Sequence, residues 1–179
     1  AYLEYLGKHD VLTKLKNRSF YVDEISRLER KGPFPVTVII IDINNLKTVN
    51  DTQGHAAGDD LLRRTGEILN QLSGRGVTAM RIGGDEFAVF MPGANDEART
   101  NLLTNLKKIT DLNNQFYSGS SLQLAVGWAI SREGERLESA IRKADHLMYE
   151  DKRKFYSMES FDGDASSQNT LISNSERRP

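Results

Sequence analysis

Two runs of β-compatible residues, Val77 to Ile82 and Glu86 to Met91, flank Gly83-Gly84, and no other feature constrains the chain as much. Glycine takes positive φ without a Cβ clash, so a Gly-Gly link between two such runs predicts a tight antiparallel hairpin. The hairpin commits the fold to a sheet with local antiparallel pairing. It also sets two carboxylates, Asp85 and Glu86, just past an exposed and firmly supported tip.

The rest of the chain supplies partners for that sheet. Residues 36–43 form a β-branched apolar run too short for a core helix, which predicts a buried central strand ending near Asp42. Helical periodicity marks residues 17–31, where Phe20, Val22, Ile25 and Leu28 recur until Gly32-Pro33 ends the pattern. It returns at 55–72, with Leu61, Leu62, Thr65, Ile68, Leu69 and Leu72 on one face, at 96–116 with Leu102, Leu103, Leu106, Ile109 and Leu112, and at 137–154. A further strand is expected at 122–130. This order of helices, strands and hairpin points to a layered α/β domain. Residues 160–179, rich in polar side chains, are expected to be a disordered tail, and residues 1–9 read as the remnant of an upstream linker helix. The domain is then 10–159.

Composition narrows the function classes. The 179 residues are 38% hydrophobic, enough for one core. With 24 basic against 25 acidic residues, neither a nucleic-acid polymer nor an anionic membrane surface is an expected partner. The absence of cysteine excludes disulfides, thiolate nucleophiles and zinc-thiolate sites, and it fits a cytoplasmic location. No apolar run approaches the roughly 20 residues of a membrane helix. Because the first residue is Ala1, the chain reads as an excised fragment, for instance the cytoplasmic domain of a larger, membrane-attached protein.

If strand 36–43 lies beside the hairpin, Asp42 and Asp85 converge, with the backbone carbonyl of Ile43, on a hard cation that prefers oxygen ligands. Such a cation would neutralise triphosphate charge and lower the pKa of an attacking hydroxyl. On the hairpin alone, carboxylates that merely solubilise a turn are an equally good reading. Other signals point nowhere. Gly74-Arg75-Gly76-Val77-Thr78-Ala79 follows a helix and precedes a strand, the reverse of a dinucleotide-binding context. His9, His55 and His146 are scattered, and Trp128 on an apolar strand reads as core.

The stretch Asp42-Ile43-Asn44-Asn45-Leu46-Lys47, followed by Asn50-Asp51, Gly54-His55 and Gly58-Asp59, together with Gly83-Gly84-Asp85-Glu86-Phe87, resembles the GGDEF family of diguanylate cyclases. Asp10-Val11-Leu12-Thr13 with Asn17-Arg18, and Ala144-Asp145 with Tyr149 and Lys152, extend the resemblance over residues 10–155. The expected fold is accordingly α/β, with a central, mostly antiparallel five-stranded sheet flanked by helices, similar to nucleotidyl cyclases and polymerase palms.

The resemblance implies that Asp42, the Ile43 carbonyl and Asp85 hold magnesium, two ions per half-site with manganese as the alternative, and that Asp85 and Glu86 act at the reacting centre. It implies that Asn45, Leu46, Lys47, Gly83, Gly84 and Lys152 bind substrate, mainly its phosphates, while Asn50 and Asp59 read guanine. A carboxylate can accept both N1–H and N2–H of guanine, a donor pair that adenine lacks. The implied reaction condenses two GTP into cyclic di-GMP and pyrophosphate across a homodimer. The alternatives are a catalytically silent module that binds GTP or cyclic di-GMP and regulates an attached domain, or a cyclase making cyclic GMP from one GTP.

Six positions depart from the family pattern. Asn44 stands where many members have a second Asp, and Lys14 replaces a frequent Gly. Phe155 and Tyr156 replace Gly and Arg, which removes one phosphate-binding cation and leaves Arg153 or Lys154 as substitutes. The Arg-x-x-Asp positions of the family's inhibitory product site fall on Gly74 and Val77, which offer neither guanidinium nor carboxylate, so no such site is expected here.

Overall fold

Strand β1 (Val36–Ile43) is buried along nearly its whole length because it is central in the sheet and helices cover both faces. In a computed structural model describing residues 1–175, the elements run α1 (Tyr2–Lys8), α2 (Arg18–Lys31), β1, α3 (Leu46–Gln53), α4 (His55–Leu72), β2 (Thr78–Arg81), β3 (Glu86–Pro92), α5 (Asp96–Phe116), β4 (Leu124–Ser131) and α6 (Leu137–Ser175). The sheet order is β2-β3-β1-β4 and every neighbouring pair is antiparallel.

Side chains of a strand alternate between faces, and β1 divides the core accordingly. Ile39, Ile41 and Ile43 join Leu46 and Val49 of α3, Leu61, Leu62, Ile68 and Leu69 of α4, and Leu102 and Leu106 of α5. Val36, Val38 and Ile40 face the other way, against Tyr21 and Leu28 of α2 and Leu137, Ala140, Ala144 and Met148 of α6. The β-branched run therefore reads as continuous hydrophobicity, as a strand buried on both faces requires.

Among the described residues the sheet has four strands, where five are expected from the resemblance. The periodic runs in the sequence supply four, and at the β2 edge the chain adds only a bridge between Lys16 and Met80. The hairpin is formed, with Arg81 opposite Phe87, but its loop is Ile82 to Asp85 rather than a two-residue link. Neither Gly83 nor Gly84 takes a positive φ. The amides of Ile82 and Gly83 both point at the Glu86 carbonyl, at 2.9 and 3.2 Å, closing the wider loop without the left-handed pair a two-residue turn needs. Trp128 is also not core. It lies on the edge strand β4, 37% exposed, beneath the Arg99 guanidinium at 4.2 Å. The helical backbone of α6 is drawn on to Ser175, past the expected domain end at residue 159. Residues 176–179 lie outside the described residues.

Gly127 sets how α6 sits. A Cβ there would overlap the Ala144 carbonyl oxygen and the Met148 amide nitrogen, so α6 rests backbone-on-backbone against β4. Neither obstacle is a flexible side-chain tip. Gly127→Ala should therefore push α6 off the sheet and cost about 1–3 kcal/mol in chemical denaturation, as overpacking does. An unchanged denaturation midpoint would show that the close approach does not fix the helix.

Candidate active site

Antiparallel register decides which carboxylates meet. Asp42 is paired opposite Glu86, and the Ile43 amide donates to the Asp85 carbonyl at 3.3 Å, so the end of β1 and the hairpin turn form one edge. Because α6 is clamped at Gly127, it delivers two further groups. Lys152 Nζ lies 3.3 Å from Asp42 Oδ1 and donates to the Ile43 carbonyl at 3.1 Å, while Asp145, two helical turns earlier, neighbours Glu86.

Crowding of like charges shows in the protonation equilibria. Burial and then the negative charge of Asp85 push the Asp42 carboxyl up to about 6, with Lys152 opposing them. Burial also raises Glu86, followed by the Asp145, Asp42 and Asp85 carboxyls. A cation placed here would relieve this repulsion. The donors suit a hard one: Asp42, Asp85 and the Ile43 carbonyl offer oxygen alone. Asp42 Oδ1 is buried with no well-aligned hydrogen bond, and the Lys152 ammonium already bridges it to the Ile43 carbonyl as a cationic stand-in. Among the described residues no group of three His, Cys, Asp or Glu side chains has metal-holding geometry, so a cation would need further oxygens from substrate or water.

The turn is braced from behind. Arg81 donates to the Gly84 carbonyl at 2.7 Å through Nη2 and pairs with Asp10 at 3.2 Å, and Arg18 donates to the Ile82 carbonyl at 2.7 Å. Burial alone would raise Asp10, but the Thr13 hydroxyl and amide and the Arg81 guanidinium outweigh it and hold its carboxyl low. A Cβ on Gly84 would meet nothing, so the tip is open.

Immediately after β1 the chain turns through Asn45, left-handed at φ 61°, and starts α3. Asparagine tolerates this conformation better than most residues. The turn leaves the first-turn amides of Leu46 and Lys47 at the positive end of the α3 dipole, the arrangement that attracts anions. At the far end of α3, Gly54 at φ 89° redirects the chain into α4. This corner packs the two helices so that a Cβ on Gly58 would overlap Asn50 Oδ1. Asn50 thus lies against the α4 turn that carries Asp59. The residues expected to read the base are adjacent, and those expected to hold metal and phosphate cluster at the strand end.

Three residues given no role from sequence stand at the site. Asp145 touches Glu86, and Tyr156 and Glu159 reach Asn45. The signal is spacing: Asp145, Lys152, Tyr156 and Glu159 recur at helical intervals on one stripe of α6.

Residues 7–156 match the family described as diguanylate cyclase, GGDEF domain. Diguanylate cyclase DosC of Escherichia coli K12 is 34% identical over 153 residues, covering 81% of this chain and 33% of that protein. Diguanylate cyclase VdcA of Vibrio cholerae is 33% identical over 148 residues, covering 80% of this chain and 43% of that protein. The chain thus spans less than half the length of these relatives. The crystal structure of the GGDEF domain of DgcB from Caulobacter crescentus, in complex with c-di-GMP, superposes with a TM-score of 0.70 at 26% identity, covering 82% of this chain and 91% of that one. With the match extending over most of its length and the signature turn at the end of its central strand, the chain belongs to the GGDEF domain family.

Proposed function

We propose that this domain is a diguanylate cyclase, joining two GTP molecules into cyclic di-GMP across a homodimer. The observation that carries the reading is the convergence of Asp42, Asp85 and the Ile43 carbonyl at one strand end, directly before the α3 amides. Magnesium, held by those three groups, would neutralise phosphate charge and lower the pKa of the attacking hydroxyl. The α3 amides and Lys152 would hold the phosphates, and Asn50 and Asp59 the guanine. Each 3′-hydroxyl oxygen then bonds to the α-phosphorus of the other GTP, the bond to the bridging oxygen breaks and pyrophosphate leaves. Glu86, its carboxyl raised by burial and Asp145, is suited to accept the hydroxyl proton. A shared site needs two loaded protomers face to face, so specific activity should rise with protein concentration. Constant specific activity in a range where the chain is monomeric would exclude it. GTP and magnesium as reactants favour the cytoplasm; among the described residues no helix is long and apolar enough to cross a membrane.

Asp59→Ala should lower the preference for GTP over ATP by about tenfold or more, because guanine N1–H and N2–H lose their acceptor. Competition binding measures this directly, and an unchanged ratio would remove Asp59 from base reading. Product inhibition should be competitive with GTP and weaken in the same variant. Gly74 and Val77, closed on each other by two 3.1 Å backbone hydrogen bonds, carry no groups for a separate product site. Noncompetitive inhibition would contradict this. The silent-module reading draws on Tyr156, which stands where the family has a cation.

A further inference from the structure

The stripe Lys152, Tyr156 and Glu159 on α6 already occupies several groups that GTP and its metal would use: the Asn45 amide and side chain, Asp42 and the Ile43 carbonyl. The Asn45 amide donates to the Tyr156 hydroxyl at 3.0 Å, and Asn45 Nδ2 donates to both carboxylate oxygens of Glu159 at 3.2 Å. One turn back, Lys152 bridges Asp42 and the Ile43 carbonyl. Spacing of four and then three residues puts all three on one helix face. A hydroxyl oxygen and a carboxylate at the amino end of α3 are chemically a phosphate mimic, and an ammonium on Asp42 and Ile43 is a metal mimic.

We propose that the end of α6 is an internal competitor for the polyphosphate, holding the turn at Asn45 closed until GTP displaces Tyr156 and Glu159. This rests on the reading of the site given above. Three features favour competition over assistance. Glu159 is acidic and would repel a triphosphate brought to the same turn. The Asn45 amide proton has one direction, already taken by Tyr156, so a phosphate oxygen can gain it only by exchange. Tyr156 and Glu159 are both exposed, so releasing them uncovers no core. Guanosine, which lacks phosphates, would reach Asn50 and Asp59 without disturbing the contact.

The test compares the full chain with Tyr156→Phe, Glu159→Gln and the double variant, titrating GTP and guanosine by calorimetry with magnesium present. Both changes keep side-chain volume and lie at the surface, and thermal denaturation checks that the fold persists. Each single variant should bind GTP about threefold to tenfold more tightly, the range for loss of one competing hydrogen bond, with the double variant tighter still. Guanosine affinity should not move. GTP binding that is unchanged or weaker in the variants, while the native chain binds GTP, overturns the competitor and leaves the site assignment standing. Tighter binding of guanosine to the same degree as GTP also overturns it, since phosphates would then be irrelevant. Failure of every form to bind GTP overturns the site assignment and the competitor together.

Discussion

Asp85→Ala should lower turnover by at least about a hundredfold while leaving the fold intact, because under the proposed reaction it removes a metal-holding charge, and it takes nothing from the core. The backbone link that seats the turn, Ile43 amide to Asp85 carbonyl, survives in alanine. Arg81 and Arg18 still grip the Gly84 and Ile82 carbonyls. Stability should therefore change by no more than about 0.5 kcal/mol, as for other partly exposed positions without a buried role. A second readout comes from protonation. Asp85 is one of the charges holding Asp42 up, so the Asp42 carboxyl should titrate below its native value of about 6 in the variant. Near-native turnover would remove Asp85 from the reacting centre, and an unmoved Asp42 titration would show that the two carboxyls do not face each other.

The second large effect is on stability. In the metal-free protein Asp42 is raised to about 6 from an ordinary 3.8, so the folded state binds its proton more tightly than the unfolded state. The folded state is accordingly favoured most when Asp42 is protonated, and stability falls as pH rises from about 4 to about 6, staying low above that. An asparagine side chain in its place carries no such charge. Asp42→Asn, in the presence of a chelator at about pH 7.5, should be more stable by about 1–2 kcal/mol, after discounting for solvent near the half-buried site and for the lost Lys152 pairing. The gain should vanish near pH 4, where native Asp42 is largely protonated. Added magnesium should raise the Tm of the native chain and not that of the variant, since a ligand stabilises only the state that binds it. A variant destabilised by about 1 kcal/mol or more at both pH values would contradict this account of the carboxyl.

The legibility of the chain follows from where its information is local. Residues 36–43 and the second hairpin arm announce themselves because a strand buried on both faces needs an unbroken apolar run. Helices α2, α4 and α5 read clearly because each places an apolar stripe on the core. The hairpin loop is misleading in sequence because a Gly-Gly pair satisfies a two-residue turn locally, whereas the register that ends with Arg81 opposite Phe87 leaves a wider one. Trp128 misleads because residue type does not reveal that β4 lies at an edge. At the site, Asp42 and Asp85 are legible through the motif, but that Lys152 bridges Asp42 and Ile43 depends on α6 lying flush on Gly127, a contact between residues far apart in sequence. Tyr156 is visible only as a missing cation; its bond to the Asn45 amide spans 111 positions and has no local signature.

The proposed reaction joins two GTP molecules. Its most direct test is to incubate the chain with GTP and magnesium, across protein concentrations that include the dimer, and to identify the product by chromatography and mass. The expected product is cyclic di-GMP, with two pyrophosphates released per product molecule. Cyclic GMP as the product, or GTP recovered unchanged at every concentration, would contradict it.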